Sequence, residues 1–143
     1  MNLPESGGWK PKPTTPRRIL VVDDNRGAAQ VLSVLLQKFW GHTVETAYDG
    51  KTALETAARM RPEIILLDIG LPGLDGFEVA AALRAAPATR GALIAALTGY
   101  SREQDRRRCG EVGIDLHLVK PAAAATLEQL FAHPRLTGDS PRE

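Results

Sequence analysis

The stretch that decides the fold is residues 64–76, IILLDIGLPGLDG. Four apolar residues run directly into a carboxylate at Asp68, and a segment rich in glycine follows at once. A short apolar run of this kind is typical of a strand that is covered on both faces. A charge at the end of such a strand is costly unless a partner compensates it. The stretch therefore predicts a buried strand whose last residue, Asp68, faces a cation or a hydrogen-bond donor.

The composition is that of an ordinary globular chain with enough residues for one domain. Of its 143 residues, 43% are hydrophobic and 24% are charged. The net charge of +1 gives no electrostatic reason to expect direct binding of nucleic acid or of an anionic membrane. The single cysteine excludes an internal disulfide and suits a reducing compartment. The apolar runs are far shorter than the ~20 residues that span a bilayer, so we expect a cytoplasmic protein without membrane insertion.

The two ends of the chain differ in composition from its centre. Residues 1–16 contain four prolines and two glycines and have no apolar core of the kind found in signal peptides. We expect them to form a flexible tail or linker. Residues 134–143 are similarly rich in turn-forming residues and predict a second flexible tail. The folded domain is then expected to span residues 17–133, without internal repeats.

Within residues 17–133, short apolar runs alternate with segments of helical period. The runs predict strands at 18–22, 43–47, 64–68, 92–98 and 116–120. Five helices are expected to follow them, and the clearest has apolar residues spaced by three and four from Ala28 to Phe39, with Gly41 placed to end it. Strands that alternate with helices in this way predict an α/β fold, a doubly wound parallel sheet covered on both faces.

Polar residues occur where the predicted strands end, and functional sites of such sheets lie beyond the carboxyl ends of the strands. They are Asp23, Asp24, Asp68, Thr98 and Lys120. Any one of them alone would be read as a helix cap or a solvated side chain. Two carboxylates ~5 Å apart, however, repel by about 3 kcal/mol at an effective dielectric of ~20, so three at one edge need a proton or a cation. Carboxylate ligands without histidine or cysteine favour Mg²⁺ over zinc or copper.

Thr98 and Lys120 indicate what such a metal site could bind. A lysine ammonium and a threonine hydroxyl, facing a metal-bound carboxylate, suit the oxygens of a phosphoryl group. Gly99 leaves space beside them, because it has no side chain. The free oxygen of Asp68 would then be placed to attack phosphorus.

Four motifs in this order carry a family resemblance: VVDDN (21–25), LLDIGLPGLDG (66–76), ALTGY (96–100) and LVKP (118–121). On these motifs, residues 17–131 resemble the receiver domain of two-component response regulators, the CheY-like family. The resemblance implies a flavodoxin-like (βα)5 fold with five parallel strands in the order 2-1-3-4-5.

The resemblance also implies a role for each site residue. Asp68 would be the phosphoacceptor, and Thr98 and Lys120 would contact the phosphoryl group. Mg²⁺ would be held by three carboxylates and one backbone carbonyl, those of Asp23, Asp24, Asp68 and Gly70. The phosphoryl donor would be a phosphohistidine on a sensor histidine kinase or a histidine phosphotransfer protein. Such a domain is a regulatory switch and not an enzyme.

Two alternatives remain open at this point. A pseudo-receiver would keep the fold as an interaction module that signals without phosphorylation, and a hydrolase would act on small phosphate esters through an aspartyl phosphate. The complete set of site residues favours the phosphoacceptor, and the lack of a further general acid disfavours the hydrolase. The chain departs from the family at His117, where tyrosine or phenylalanine is usual, and at Gly70, where a side chain often affects dephosphorylation. The C-terminal motifs resemble those of hybrid kinases, so the sequence is equally compatible with a stand-alone regulator and an excised receiver.

Overall fold

The computed structural model describes residues 16–69, 76–99, 107, 110–120 and 124–133. Its strands are β1 (Arg18–Val22), β2 (Thr43–Ala47), β3 (Ile64–Asp68), β4 (Leu93–Thr98) and β5 (Leu116–Val119). Its helices over these ranges are α1 (Arg26–Trp40), α2 (Gly50–Met60), α3 (Gly76–Ala85) and α4 (Ala124–Phe131). Residues 107, 110 and 111 are also helical, and most of the helix predicted between Ser101 and Gly113 lies outside the described residues.

The five strands form one parallel sheet in the order β2-β1-β3-β4-β5. This confirms the predicted fold class and strand order. The first three strands also have the predicted bounds. β4 begins one residue later than predicted because the Ala92 N–H is used in a turn, where it donates to Thr89 O at 3.0 Å. β5 ends at Val119, which leaves Lys120 just beyond the strand.

The apolar side chains of the central strands alternate between two cores, one on each face of the sheet. Leu20, Ile65 and Ile94 belong to the core that includes residues of α2 and α3. Their chain neighbours Ile19, Ile64 and Leu93 belong to the core that includes residues of α1 and α4. All six side chains are fully buried, and burial of each contributes about 1.5–3 kcal/mol. The continuous apolar runs are therefore strands that pack on both faces.

Local signals determine where the first two helices begin and end. Asn25 caps α1, where its Oδ1 accepts the Ala28 N–H at 3.0 Å, and Asp49 caps α2 in the same way. Gly41 ends α1 with a φ of 72°, as predicted. α2 ends at Met60, with Arg61 as its C-cap just before Pro62. None of the helices in the described ranges is both long enough and apolar enough to traverse a bilayer.

Candidate functional site

The carboxyl edge of the sheet brings the three predicted aspartates together. β1 and β3 are neighbours with Val22 opposite Leu67, so Asp23 and Asp68 leave the sheet side by side. Carboxylate oxygens of Asp23, Asp24 and Asp68 all lie within 4.8 Å of one another. Asp23 and Asp68 are buried, whereas Asp24 is exposed. The result is a cluster that is enclosed on the side of the sheet and open towards solvent.

Lys120 reaches this cluster from the other side of β4. Its Nζ atom lies 3.1 Å from Asp23 Oδ2 and 3.2 Å from Asp68 Oδ2. Its backbone N–H donates to Thr98 O at 2.7 Å, which fixes the end of β5 against the end of β4. The ammonium group therefore bridges two of the three carboxylates.

The remaining predicted residues occupy the same edge or fall outside the described ranges. Thr98 is buried at the end of β4, the strand between those that lead to Asp68 and Lys120. Gly99 adjoins open space, since a Cβ built there would have no atom within 4 Å. His117 lies on β5 opposite Ala96, with both ring nitrogens shielded from solvent. Gly70 lies outside the described residues.

Burial and charge act in opposite directions at this cluster. Burial raises the pKa of the Asp23 carboxyl and the negative charge of Asp68 adds to this, although bonds from Asn25 and Lys120 oppose it. Burial would lower the pKa of Lys120, but its bonds and charge interactions with Asp23 and Asp68 outweigh burial and raise it. Lys120 is therefore held in its charged form, as the counterion of two carboxylates.

A divalent cation would balance the formal charges of the cluster. Three ionised carboxylates and one ammonium leave two negative charges uncompensated. The potential ligands are all carboxylate oxygens, because no histidine or cysteine of the described residues belongs to this cluster. Such hard oxygen donors, with one side open to water, fit Mg²⁺, which keeps several water ligands.

Asn25 supports the site and was not predicted to do so. Its backbone N–H donates to Asp23 Oδ1 at 2.9 Å, while its side chain caps α1. One residue thus orients a carboxylate of the cluster and fixes the start of the adjacent helix. The signal was present in the sequence, because asparagine directly before a helical pattern is a common N-cap.

A cavity of about 550 Å³ opens beside the carboxylates. Its lining combines two charged side chains with residues of α1 and β4: Asp23, Asn25, Gly27, Ala28, Val31, Leu32, Leu97 and Lys120. Val31 lines this cavity and is 67% exposed. Sequence periodicity did not predict this cavity, because it forms between elements that are distant in the chain.

Gly76, the last residue of the motif that opened the sequence analysis, allows α3 to begin against the backbone that follows Asp68. A Cβ at this position would lie within 3.0 Å of Asp68 O and of two backbone atoms of Ile69. We expect Gly76→Ala to lower the free energy of unfolding by about 1–3 kcal/mol, because backbone atoms cannot move aside as a flexible side chain can. Urea unfolding measures this change.

Gly110→Ala is the matched control for that substitution. Gly110 is helical and exposed, and a Cβ there would have no atom within 4 Å. This variant should be as stable as the wild type or slightly more stable. Equal loss of stability in both variants would contradict the proposed steric role of Gly76.

Comparison with known proteins agrees with the geometry of the site. Residues 19–132 match the family model of the response regulator receiver domain. The response regulator PleD of Caulobacter vibrioides is 42% identical over 104 residues, which are 73% of this chain and 23% of PleD. The response regulator MprA of Mycobacterium ulcerans is 42% identical over 118 residues, 82% of this chain and 48% of MprA. The chain thus spans less than half the length of these relatives.

Solved structures share the fold over nearly their whole length. The chemotaxis protein CheY4 of Vibrio cholerae aligns with a TM-score of 0.78 at 32% identity, covering 85% of this chain and 99% of CheY4. The receiver domain of the sensor histidine kinase PA1611 of Pseudomonas aeruginosa has a TM-score of 0.75 at 33% identity, covering 87% and 99% of the two chains. That structure has a magnesium ion coordinated in its active site cleft. With its family match, its relatives and its fold, this chain belongs to the response regulator receiver domains, the CheY-like regulatory domains of two-component systems.

Proposed function

We propose that this chain is a phosphoacceptor switch in which Asp68 receives a phosphoryl group. The donor is a phosphohistidine on a sensor histidine kinase or a histidine phosphotransfer protein. The observation that carries the proposal is the cluster itself, three carboxylates within 4.8 Å of one another with Lys120 bridging two of them. The folded unit is residues 17–133, with residues 1–16 and 134–143 as tails, and it acts in the cytoplasm.

The residues that would hold Mg²⁺ are Asp23, Asp24 and Asp68, with the carbonyl of Gly70 as a further ligand implied by the family. The metal supplies positive charge that neutralises phosphoryl oxygens. The oxygen-only donor set and its excess negative charge support this assignment. The magnesium ion in the related PA1611 receiver domain supports it further.

Each remaining side chain has a distinct task in the proposed transfer. An oxygen of Asp68 forms a bond to phosphorus as the bond between phosphorus and the donor imidazole nitrogen breaks. That nitrogen keeps the electron pair, so the donor histidine is regenerated. Lys120, 3.2 Å from Asp68 Oδ2, compensates negative charge on the acceptor and the transferred group. Thr98, on the neighbouring strand, offers a hydroxyl to a phosphoryl oxygen.

The cavity beside the cluster provides a place for the donor protein. A partner that delivers a phosphoryl group must cover the acceptor edge, and the wall formed by Ala28, Val31 and Leu32 supplies an apolar contact there. Val34, 44% exposed on the same helix, extends the apolar surface beyond the cavity. An α1 surface of this kind suits a donor that presents its histidine from an amphipathic element.

The complete set of site residues also weighs against the two alternatives. A pseudo-receiver would have no need for a carboxylate cluster balanced by Lys120, and a hydrolase would need a general acid that the proposed site lacks. The proposed chemistry is therefore self-phosphorylation and slow dephosphorylation of a regulator and not turnover of a substrate.

Metal binding tests this function without requiring a donor. We expect Mg²⁺ to raise the thermal unfolding midpoint, since a ligand at 100 times its dissociation constant stabilises by about 2.7 kcal/mol. Beryllofluoride, which mimics the phosphoryl group, should raise the midpoint further when Mg²⁺ is present. Asp23→Asn should reduce both shifts, because it removes one charge from the cluster.

Glu55→Gln provides the control, because Glu55 is an exposed carboxylate of α2 outside the cluster. This variant should respond to Mg²⁺ and beryllofluoride as the wild type does. A pseudo-receiver would show neither shift. An undiminished Mg²⁺ shift in Asp23→Asn would contradict the proposed ligands.

A further inference from the structure

His42 lies at the amino edge of the sheet, opposite the carboxylate cluster, and connects segments that are far apart in the chain. It directly precedes β2, and its imidazole is only 4% exposed. Its Nδ1 atom accepts the backbone N–H of Arg17 at 2.9 Å. An acceptor nitrogen carries no proton, so the ring is neutral and its proton lies on Nε2. Together with the Thr43 N–H, which donates to Arg17 O at 2.9 Å, this bond holds residue 17 at the point where the chain enters β1.

The His42 ring also contacts the last described helix. The rings of His42 and Phe131 are stacked, with centroids 4.8 Å apart and planes at 26°. Phe131 is the last residue of α4, and its ring also lies 5.7 Å from that of Trp40 at the end of α1. His42 therefore contacts both the first and the last element of the described domain.

The charged groups that shift the pKa of His42 come from the segments that precede β1 and β3. Burial lowers the pKa of the imidazole, and the positive charge of Arg17 lowers it further, while Glu63 before β3 opposes them. Arg17 and Glu63 also form an ion pair at 3.7 Å, which weakens the net field of each at the ring. On α4, the Phe131 ring stacks on His42, and on α1 the Trp40 ring lies beside Phe131. Both of these neighbours are uncharged.

Protonation would affect the hydrogen bond to Arg17 and the stack on Phe131 in opposite directions. A proton on Nδ1 turns the acceptor into a donor that faces the Arg17 N–H, so this hydrogen bond is lost. The stack on Phe131 tolerates the change, because a cation over an aromatic face is attracted by the ring. Of these two contacts, the hydrogen bond to the Arg17 N–H is therefore the one that acid breaks.

We propose that the neutral ring of His42 is an acid-sensitive link, which helps to hold residue 17 through its Nδ1 atom and loses this bond on protonation while α4 stays stacked. The neutral form is favoured in the folded state, so stability is complete above the ordinary histidine pKa of about 6.5. It falls as the pH is lowered from that value towards the lower pKa of the folded state, and levels off below it. This pH dependence does not rely on the phosphorylation proposed at the opposite edge of the sheet.

The experiment compares urea unfolding of the full chain at about pH 7.5 and about pH 5, on either side of the ordinary histidine pKa. His42→Asn is the informative variant, because its amide oxygen can accept the Arg17 N–H but does not titrate. We expect the urea midpoint of the wild type to fall more between the two pH values than that of His42→Asn.

NMR of the wild-type protein tests the same proposal without a variant. We expect the Arg17 amide resonance to shift with the titration midpoint of the His42 ring, and this midpoint to lie below about 6.5. Equal pH dependence in the wild type and His42→Asn would overturn the proposal. So would an Arg17 amide that stays unchanged while His42 titrates, and this outcome decides the matter even if His42→Asn fails to fold.

Discussion

Asp68→Asn is expected to abolish covalent phosphorylation. With acetyl phosphate and Mg²⁺, the wild type should gain the mass of one phosphoryl group, because an oxygen of Asp68 attacks phosphorus and acetate leaves. An amide has the shape of a carboxylate but lacks its nucleophilic charge, so the variant should show no adduct. Intact-mass spectrometry measures the labelled fraction directly. Labelling should be lost completely, because the neutral amide that remains is not a nucleophile towards phosphorus.

Two further samples test whether the loss of labelling is specific to Asp68 and whether labelling depends on Mg²⁺. Glu55→Gln should be labelled as the wild type is, since it changes a carboxylate that the cluster does not contain. Wild-type protein in excess EDTA should remain unlabelled, because the phosphoryl oxygens then lose the positive charge of the metal. Equal labelling of Asp68→Asn would show that another residue is the acceptor. Full labelling in EDTA would contradict the role of Mg²⁺.

Much of the fold could be predicted because its signals are local. A strand that packs on both faces must be apolar at every position, so β1 and β3 were visible as uninterrupted runs. Gly41 marked the end of α1, because the position requires a positive φ. The order of the strands is not a local property, and it was predicted through the family resemblance. The helix predicted from Ser101 lies largely outside the described residues.

The location of the site could also be predicted, because the carboxyl ends of parallel strands share one edge of a sheet. Which side chains pair with one another at this edge could not be predicted from the sequence. Lys120 contacts both Asp23 and Asp68 across separations of 97 and 52 residues in the chain, and no periodicity encodes that choice. The same is true of His42 and Arg17 at the opposite edge. Such contacts depend on tertiary packing, whereas Asn25 could have been predicted as a helix cap.

Arg84 illustrates a long-range contact that the sequence did not indicate and on which the site depends. Its guanidinium donates to three backbone carbonyls, those of Arg90, Ala92 and Gly113, at 2.9, 2.6 and 2.8 Å. It also pairs with Asp115, whose Oδ2 accepts the Ile94 N–H at 2.9 Å. Arg84 thus joins the last turn of α3 to the segments that lead into β4 and β5. Those strands carry Thr98 and Lys120 to the candidate site at their far ends.

Arg84→Met is expected to cause the largest loss of stability among these predictions. Methionine retains an unbranched apolar stem, but it leaves the Asp115 carboxylate and three carbonyls without their guanidinium donor. Removing one partner of a buried ion pair costs about 3–5 kcal/mol. Both side chains are 20% exposed, so solvent screening places the expected loss near the lower end, at about 3 kcal/mol. Urea unfolding at neutral pH measures it.

Arg59→Met is the matched control, because it removes the same guanidinium from a different setting. Arg59 also pairs with a carboxylate, that of Glu45 at 2.6 Å, but its side chain is 64% exposed. Water replaces the lost donor at such a site, so this variant should unfold close to the wild-type urea midpoint. If both variants lost equal stability, the cost would come from shortening an arginine and not from the buried carbonyls and carboxylate that Arg84 serves. A large loss confined to Arg84→Met would instead show that the Arg84 side chain holds the amino ends of β4 and β5. These two strands position Thr98 and Lys120 at their far ends.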